Sequence, residues 1–280
     1  MDVKNNKYFK WKIDKKLIQN FEYKANNKLA KVLSRKGYNQ IEKYYTYVGK
    51  KKILKILKYS KFFNNSIKGD GIDLGGGPGI ISSSLATSKN VNKVYCCEMV
   101  ENAVRYCHPI VKKKLLGDKF DKVISVVGDF NNLQLKDSSI DFAIIWDSLH
   151  HSLNPVKTLN EIKRVLKKNS YLFIVDRAHN NKTTNQEIKK MLDHEYDKNF
   201  KRKNFFPINR KITRRMNGEN EYRFKDLANF IKKSKFKICE IKILCSSKTM
   251  RKNDIGLIEK YINFDMGGFF KRKVIYVIKK

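Results

Sequence analysis

Apolar positions change their spacing along this chain at about residue 66. Over residues 14–35 and 39–63 they recur every three or four positions, as in Leu17, Ile18 and Phe21 or Ile53, Leu54 and Leu57. That spacing predicts two basic amphipathic helices. From residue 71 short, almost wholly apolar runs take over: GIDLG, VYCC, VISVVG, FAIIW and YLFIV. Helix-like segments stand between them at 79–88, 99–116 and 155–168. Apolar strands without alternation, separated by helices, predict a parallel sheet buried on both faces. A polar, basic stretch follows from 177 to about 223, and FKDLANFIKKSKF, KICEIKILC and KVIYVIKK then predict a helix and two strands. The reading is α/β: a helical N-terminal extension over 1–65, then a sheet domain over 66–280 that carries an insertion at about 177–223.

Composition refines this picture. The chain has 280 residues, enough for one large domain. No apolar run reaches the roughly 18–20 residues of a membrane span. The N-terminus is basic without an apolar stretch behind it, so no signal peptide is expected. Five cysteines, an odd number without C-x-x-C spacing, predict reduced thiols and a cytoplasmic protein. The net charge of +34 is uneven. Residues 1–65 carry 18 Lys and Arg against 4 Asp and Glu; residues 66–180 carry 16 against 12, and residues 181–280 carry 27 against 11. Basic flanks suit nucleic acid, anionic lipid or phosphorylated small molecules. Lysine outnumbers arginine 50 to 11, however, and specific phosphate and base readers favour arginine. Charge alone does not choose the partner.

The chemistry concentrates in GIDLGGGPGIIS, residues 71–82. Glycines there let the backbone turn sharply and leave it bare for a ligand, and the helix that follows points its N-terminal N–H groups at the same place. The dinucleotide pattern G-x-G-x-x-G fails: from Gly75 the sixth residue is Ile80, and from Gly76 the third is Pro78. What fits is D-x-G-x-G-x-G, with Asp73, Gly75, Gly77 and Gly79.

That loop resembles the first motif of the class I S-adenosylmethionine-dependent methyltransferases, and further residues follow in order. Glu98 ends VYCC, where the resemblance implies an acceptor for the ribose hydroxyls, with Met99 against the adenine face. Asp129 and Phe130 end VISVVGDF and would meet the adenine amino group and ring. The stretch from Ser138 to Asp176, with Leu149-His150-His151 and Arg164-Val165-Leu166-Lys167, is similar to the small-molecule, methyltransferase type 11-like branch. Lys168-Asn169-Ser170 departs from the usual Pro-Gly-Gly of that branch. The resemblance covers about residues 66–180. It implies a doubly wound, Rossmann-like seven-stranded sheet in the order 3-2-1-4-5-7-6, with the last strand antiparallel.

Methyl transfer needs an aligned acceptor and, for a hydroxyl, a base. Candidates at the strand ends are Asp147, which would also lie at the methionine end of the cofactor, with His150 and His151. Tyr45, Arg177, His179, Arg214 and Arg215 are candidates for the acceptor, which the arginines would suit if it were anionic. Tyr44, Tyr45 and Tyr47, facing Arg210, Arg214 and Arg215, would make a lid from the two additions. No carboxylate stands at ligand spacing from His150 and His151, so no metal is expected. The turn Asp147-Ser148-Leu149-His150 lacks the D/N-P-P-Y of amine-directed DNA enzymes, and no cysteine stands there for cytosine-C5 chemistry. A small-molecule, sugar or lipid-linked acceptor is the leading expectation. RNA methylation and a non-catalytic S-adenosylmethionine-binding module remain open.

Overall fold

The computed structural model describes residues 7–45, 50–244 and 272–280. Eight strands form one sheet: β1 (Phe9–Lys10), β2 (Gly69–Leu74), β3 (Val91–Glu98), β4 (Val123–Val127), β5 (Ile140–Trp146), β6 (Leu166–Ala178), β7 (Lys237–Leu244) and β8 (Arg272–Lys279). Their order is β1-β4-β3-β2-β5-β6-β8-β7. Without β1 this is the predicted order; the two-residue β1, parallel to β4, is an addition. β8 runs antiparallel to both β6 and β7. Parallel strands hidden on both faces need apolar residues at successive positions. β5 shows it: Phe142, Ala143, Ile144 and Ile145 are all buried.

Each predicted N-terminal helix is broken. The first divides into Lys15–Ile18 and Phe21–Arg35, because the Asn20 side chain accepts from the Tyr23 amide at 2.7 Å and starts a new helix there. The second becomes Tyr38–Tyr45, Lys50–Leu57 and the short Phe63–Ser66. Leu29, Ala30, Leu33, Ile41, Ile53 and Leu57 pack into the same core as Ile80, Ile81, Phe142 and Phe173. The extension therefore closes one face of the sheet.

The insertion holds two helices, Asn185–Asp193 and Lys198–Lys203. Tyr196, Phe206 and Ile212 from it form a satellite core with Ala25, and Phe21 and Phe200 pack alongside. The two additions thus meet over the strand ends. Among the described residues no helix is long and apolar enough to cross a membrane.

Candidate functional site

The glycine loop joins β2 to the Ile80–Ala86 helix. Gly75, Gly77 and Gly79 have φ of 68°, 53° and 85°, and Gly79 is the left-handed cap of that helix. Gly76 is held for a different reason: a Cβ there would lie 2.4 Å from Cys96 Sγ, on the strand beneath. Asp73 stitches the turn together. Its Oδ2 accepts from the Ser82 amide at 3.0 Å and the Ser82 hydroxyl at 2.6 Å. Fully buried, it does not line the cavity, so its place is structural, and burial pushes its carboxyl up to about 7. His108 props the loop from below, with Nε2 3.0 Å from Gly77 O and Nδ1 3.0 Å from Ser125 Oγ. Burial lowers its pKa to about 4, so the ring is neutral and can donate to Gly77 O.

Above the loop lies a cavity of about 310 Å³ at the carboxyl ends of the strands. Gly75, Gly77, Glu98, Met99, Asp129, Phe130, Asp147 and His151 line it; of the predicted cofactor contacts, Gly79 joins Asp73 in lying outside the lining. Glu98 Oε2 accepts from Gly77 N at 2.8 Å and Oε1 from Val100 N at 2.7 Å. Burial raises the Glu98 pKa, against the pull of those backbone donors. Asp129 folds into an Asx turn, its Oδ1 accepting from Asn131 N at 2.8 Å and Asn131 Nδ2 at 2.9 Å. Asp147, with φ 53°, sits in the left-handed region at the end of β5.

The fold also brings residues to the cavity that the sequence did not point to. Leu17, Asn20, Glu22, Tyr23 and Asn26 come from the N-terminal extension and Gly218 from the insertion. Asn20 as a helix cap with an acid two residues on was a readable signal, but only for the helix; nothing local said that this helix end would face the glycine loop.

The two histidines separate. His151 lines the cavity, its Nδ1 3.3 Å from Glu22 Oε1. His150 is buried outside it, with Nδ1 2.7 Å from Asp176 Oδ1 and Nε2 against Arg177. Burial and the Arg177 charge lower the His150 pKa despite Asp176. Burial acts the same way on His151, but the carboxylates of Glu22 and Glu219 outweigh it and the net shift is upward. Of the two, His151 is the one that lines the cavity.

The predicted acceptor residues are placed elsewhere. Arg177 Nε is 3.0 Å from Asp147 Oδ1 and its Nη2 3.2 Å from Glu219 Oε2. Arg214 is buried against Glu221 and Glu219, and His179 Nε2 lies 2.7 Å from Glu221 Oε2. Arg215 points outward to Asp193 at 3.1 Å. None of these four lines the cavity. For Arg177, His179 and Arg214 the reason is that Glu219 and Glu221, which carry no helical or strand signal, turn inward to meet them. The Tyr44 hydroxyl bonds Asn204 of the insertion, away from the cavity. The Tyr45 side chain, and Tyr47 altogether, lie outside the described residues. Carboxylates do converge on the histidines, contrary to the sequence spacing: ligand atoms of His150, His151 and Glu219 lie within 4.8 Å of one another, as do those of Asp147, His150 and Asp176. The Arg177 guanidinium supplies the positive charge at that point.

Residues 72–174 match the family model of the methyltransferase domain. Over that stretch the chain carries a methyltransferase domain. No curated protein sequence matches it. Among solved structures, a methyltransferase of Methanosarcina mazei is similar at 18% identity, with 79% of this chain and 97% of that one covered and a TM-score of 0.53. A methyltransferase of Aquifex aeolicus is similar at 16% identity, covering 90% and 97%, with a TM-score of 0.50. The [4+2]-cyclase SpnF is similar at 13% identity, covering 82% and 80%, with a TM-score of 0.56. These likenesses concern the fold, and a cyclase among them shows why the site must carry the argument about reaction.

Proposed function

We propose that this methyltransferase moves the methyl group of S-adenosylmethionine onto an oxygen or nitrogen atom of a small acceptor. The residues present fit the cofactor. Two left-handed glycines, Gly75 and Gly77, leave bare backbone at the cavity floor. The Glu98 carboxylate accepts from the Val100, Gly77 and Met99 amides, and with about four lone-pair sites it keeps acceptor capacity for a ribose hydroxyl. Glu98 would hold the ribose, Asp129 and Phe130 the adenine, Met99 its face, and Asp147 the methionine ammonium group. When bound, the cofactor supplies a methyl group already activated on a positively charged sulfur.

The protein's own work is then alignment, exclusion of water and removal of one proton. The N-terminal helix start, with Leu17, Asn20 and Tyr23, roofs the cavity and would keep water from the reacting atoms. His151 takes the acceptor's proton and Glu22 steadies the imidazolium that results. The observation that carries this reading is that one cavity holds both a cofactor cradle and a histidine–carboxylate pair. Calorimetry should show saturable binding of S-adenosylmethionine, and radiolabel from its methyl group should enter small molecules of a fractionated cell extract. Label in an RNase-sensitive polymer instead would move the acceptor to RNA. Tight binding without any transfer would make the chain a cofactor-binding module.

A further inference from the structure

We infer that the acceptor is an amine, drawn into the cavity as a cation by Glu22 and deprotonated there by His151. This rests on the methyltransferase reading above and replaces the anionic acceptor that the arginines of the insertion suggested. The chain carries 61 Lys and Arg, yet among the described residues none of them lines the cavity, whereas Glu22, Glu98, Asp129 and Asp147 do. The arginines nearest to it are already matched by carboxylates, Arg177 by Asp147 and Glu219 and Arg214 by Glu219 and Glu221. A phosphate or carboxylate entering here would meet acids first, and like charges at short range in a partly dry site repel strongly.

The four acids have different places. Glu98 and Asp129 end neighbouring strands beside the glycine loop, where the adenosine half belongs, and Asp147 faces Arg177. Glu22 stands on the opposite wall, in the first turn of the Phe21–Arg35 helix, with its carboxylate toward His151. It is therefore the carboxylate left for the acceptor. Tyr23 and Trp146 line the same cavity, and aromatic rings attract ammonium groups further.

An ammonium ion has no lone pair, so a proton must leave before methylation. It passes from the acceptor nitrogen to His151, and the freed lone pair takes the methyl group while the electron pair of the broken carbon–sulfur bond stays on sulfur. Glu22, with its own carboxyl pushed up to about 7 by burial, compensates the imidazolium. The other charged groups facing this pair are Glu98 on β3, His150 beside His151, Asp176 and Arg177 on β6, and Glu219 in the insertion.

The test uses the full chain saturated with S-adenosylhomocysteine and three probes of similar size: 2-phenylethylamine, 3-phenylpropionate and phenyl phosphate. Calorimetry should show that the amine binds in preference to either anion. Glu22→Gln should weaken amine binding roughly ten- to a hundredfold, the range for a lost charge-assisted contact, and Glu22→Asp should restore part of it. Preference for either anion, no preference among the three, or unchanged amine affinity in Glu22→Gln would overturn the amine assignment alone. Failure of S-adenosylhomocysteine itself to bind would overturn the methyltransferase reading beneath it.

Discussion

The close approach of the glycine loop to β3 can be tested by adding one methyl group. Gly76→Ala would put a Cβ 2.4 Å from Cys96 Sγ and 3.2 Å from Asp73 Oδ2. Ordinary contacts between non-bonded heavy atoms begin near 3.5 Å, so the overlap with sulfur is about 1 Å. Neither side yields easily. Gly75 N and Gly76 N both donate to Cys97 O, at 2.9 and 3.1 Å, and Cys96 is fully buried with His108 Nε2 3.7 Å from its sulfur. Overpacking of this kind costs about 1–3 kcal/mol, which for a domain of this size lowers the melting temperature by roughly 2–4 °C per kcal/mol. The displaced loop should also bind S-adenosylmethionine more weakly. Cys96→Ala removes the obstructing atom, and the new Cβ of Gly76→Ala then falls into the space vacated. The double variant should therefore be more stable than Gly76→Ala alone, with a coupling of about 0.5–3 kcal/mol, and should regain cofactor affinity. Urea unfolding of the four proteins and calorimetry with the cofactor give both quantities. If the two substitutions simply add, within about 0.5 kcal/mol, the contact does not explain the glycine.

The sheet was legible because its signal is local. Each buried strand must be apolar at nearly every position, so FAIIW and YLFIV betray themselves without any partner in view. The strand-end wall of the cavity was legible for a related reason: Gly75, Gly77, Glu98, Met99, Asp129 and Phe130 all sit at or just past strand ends, and knowing the strands places them. The opposite wall was not legible. Its residues come from the start of the Phe21–Arg35 helix and from Gly218, almost two hundred positions apart, and tertiary packing, such as that of Phe21 and Ala25 against Tyr196, Phe206 and Ile212, brings them together. The arginines misled because residue type shows a charge but not its neutralisation. Arg214 is 1% exposed, and Glu219 and Glu221 take up its charge within the same loop. The structural place of Asp73 was not legible for a similar reason: its partner Ser82 lies nine residues on, across a turn whose shape the sequence only implies.

Three further outcomes follow from the same geometry. Glu98→Ala should weaken S-adenosylmethionine binding roughly ten- to a hundredfold by calorimetry, as expected for lost charge-assisted hydrogen bonds; an unchanged dissociation constant would remove Glu98 from the site. Arg214→Ala should destabilise the fold by about 3–5 kcal/mol in urea, because it strands buried Glu221 without its arginine and takes one of two arginines from Glu219. Arg215→Ala, at an exposed pair with Asp193, should stay within about 0.5 kcal/mol, and equal losses would refute the difference in burial. Finally, Asp73→Asn should stabilise the cofactor-free protein in a pH-dependent way. The Asp73 carboxyl rises from its ordinary 3.8 to about 7 in the folded state, so between those values the folded protein holds a proton that the unfolded chain has lost. The parent therefore loses stability as pH rises through that window, by up to about 1.4 kcal/mol per unit, and loses no more above pH 7. Asparagine does not ionise, and its carbonyl can still accept from Ser82. The stability difference in favour of Asp73→Asn, measured by urea unfolding, should grow from pH 4 to 7 and then level off. A difference that is constant across that range would mean that Asp73 is ionised in the folded protein at all these pH values, and that the loop is held by a charge.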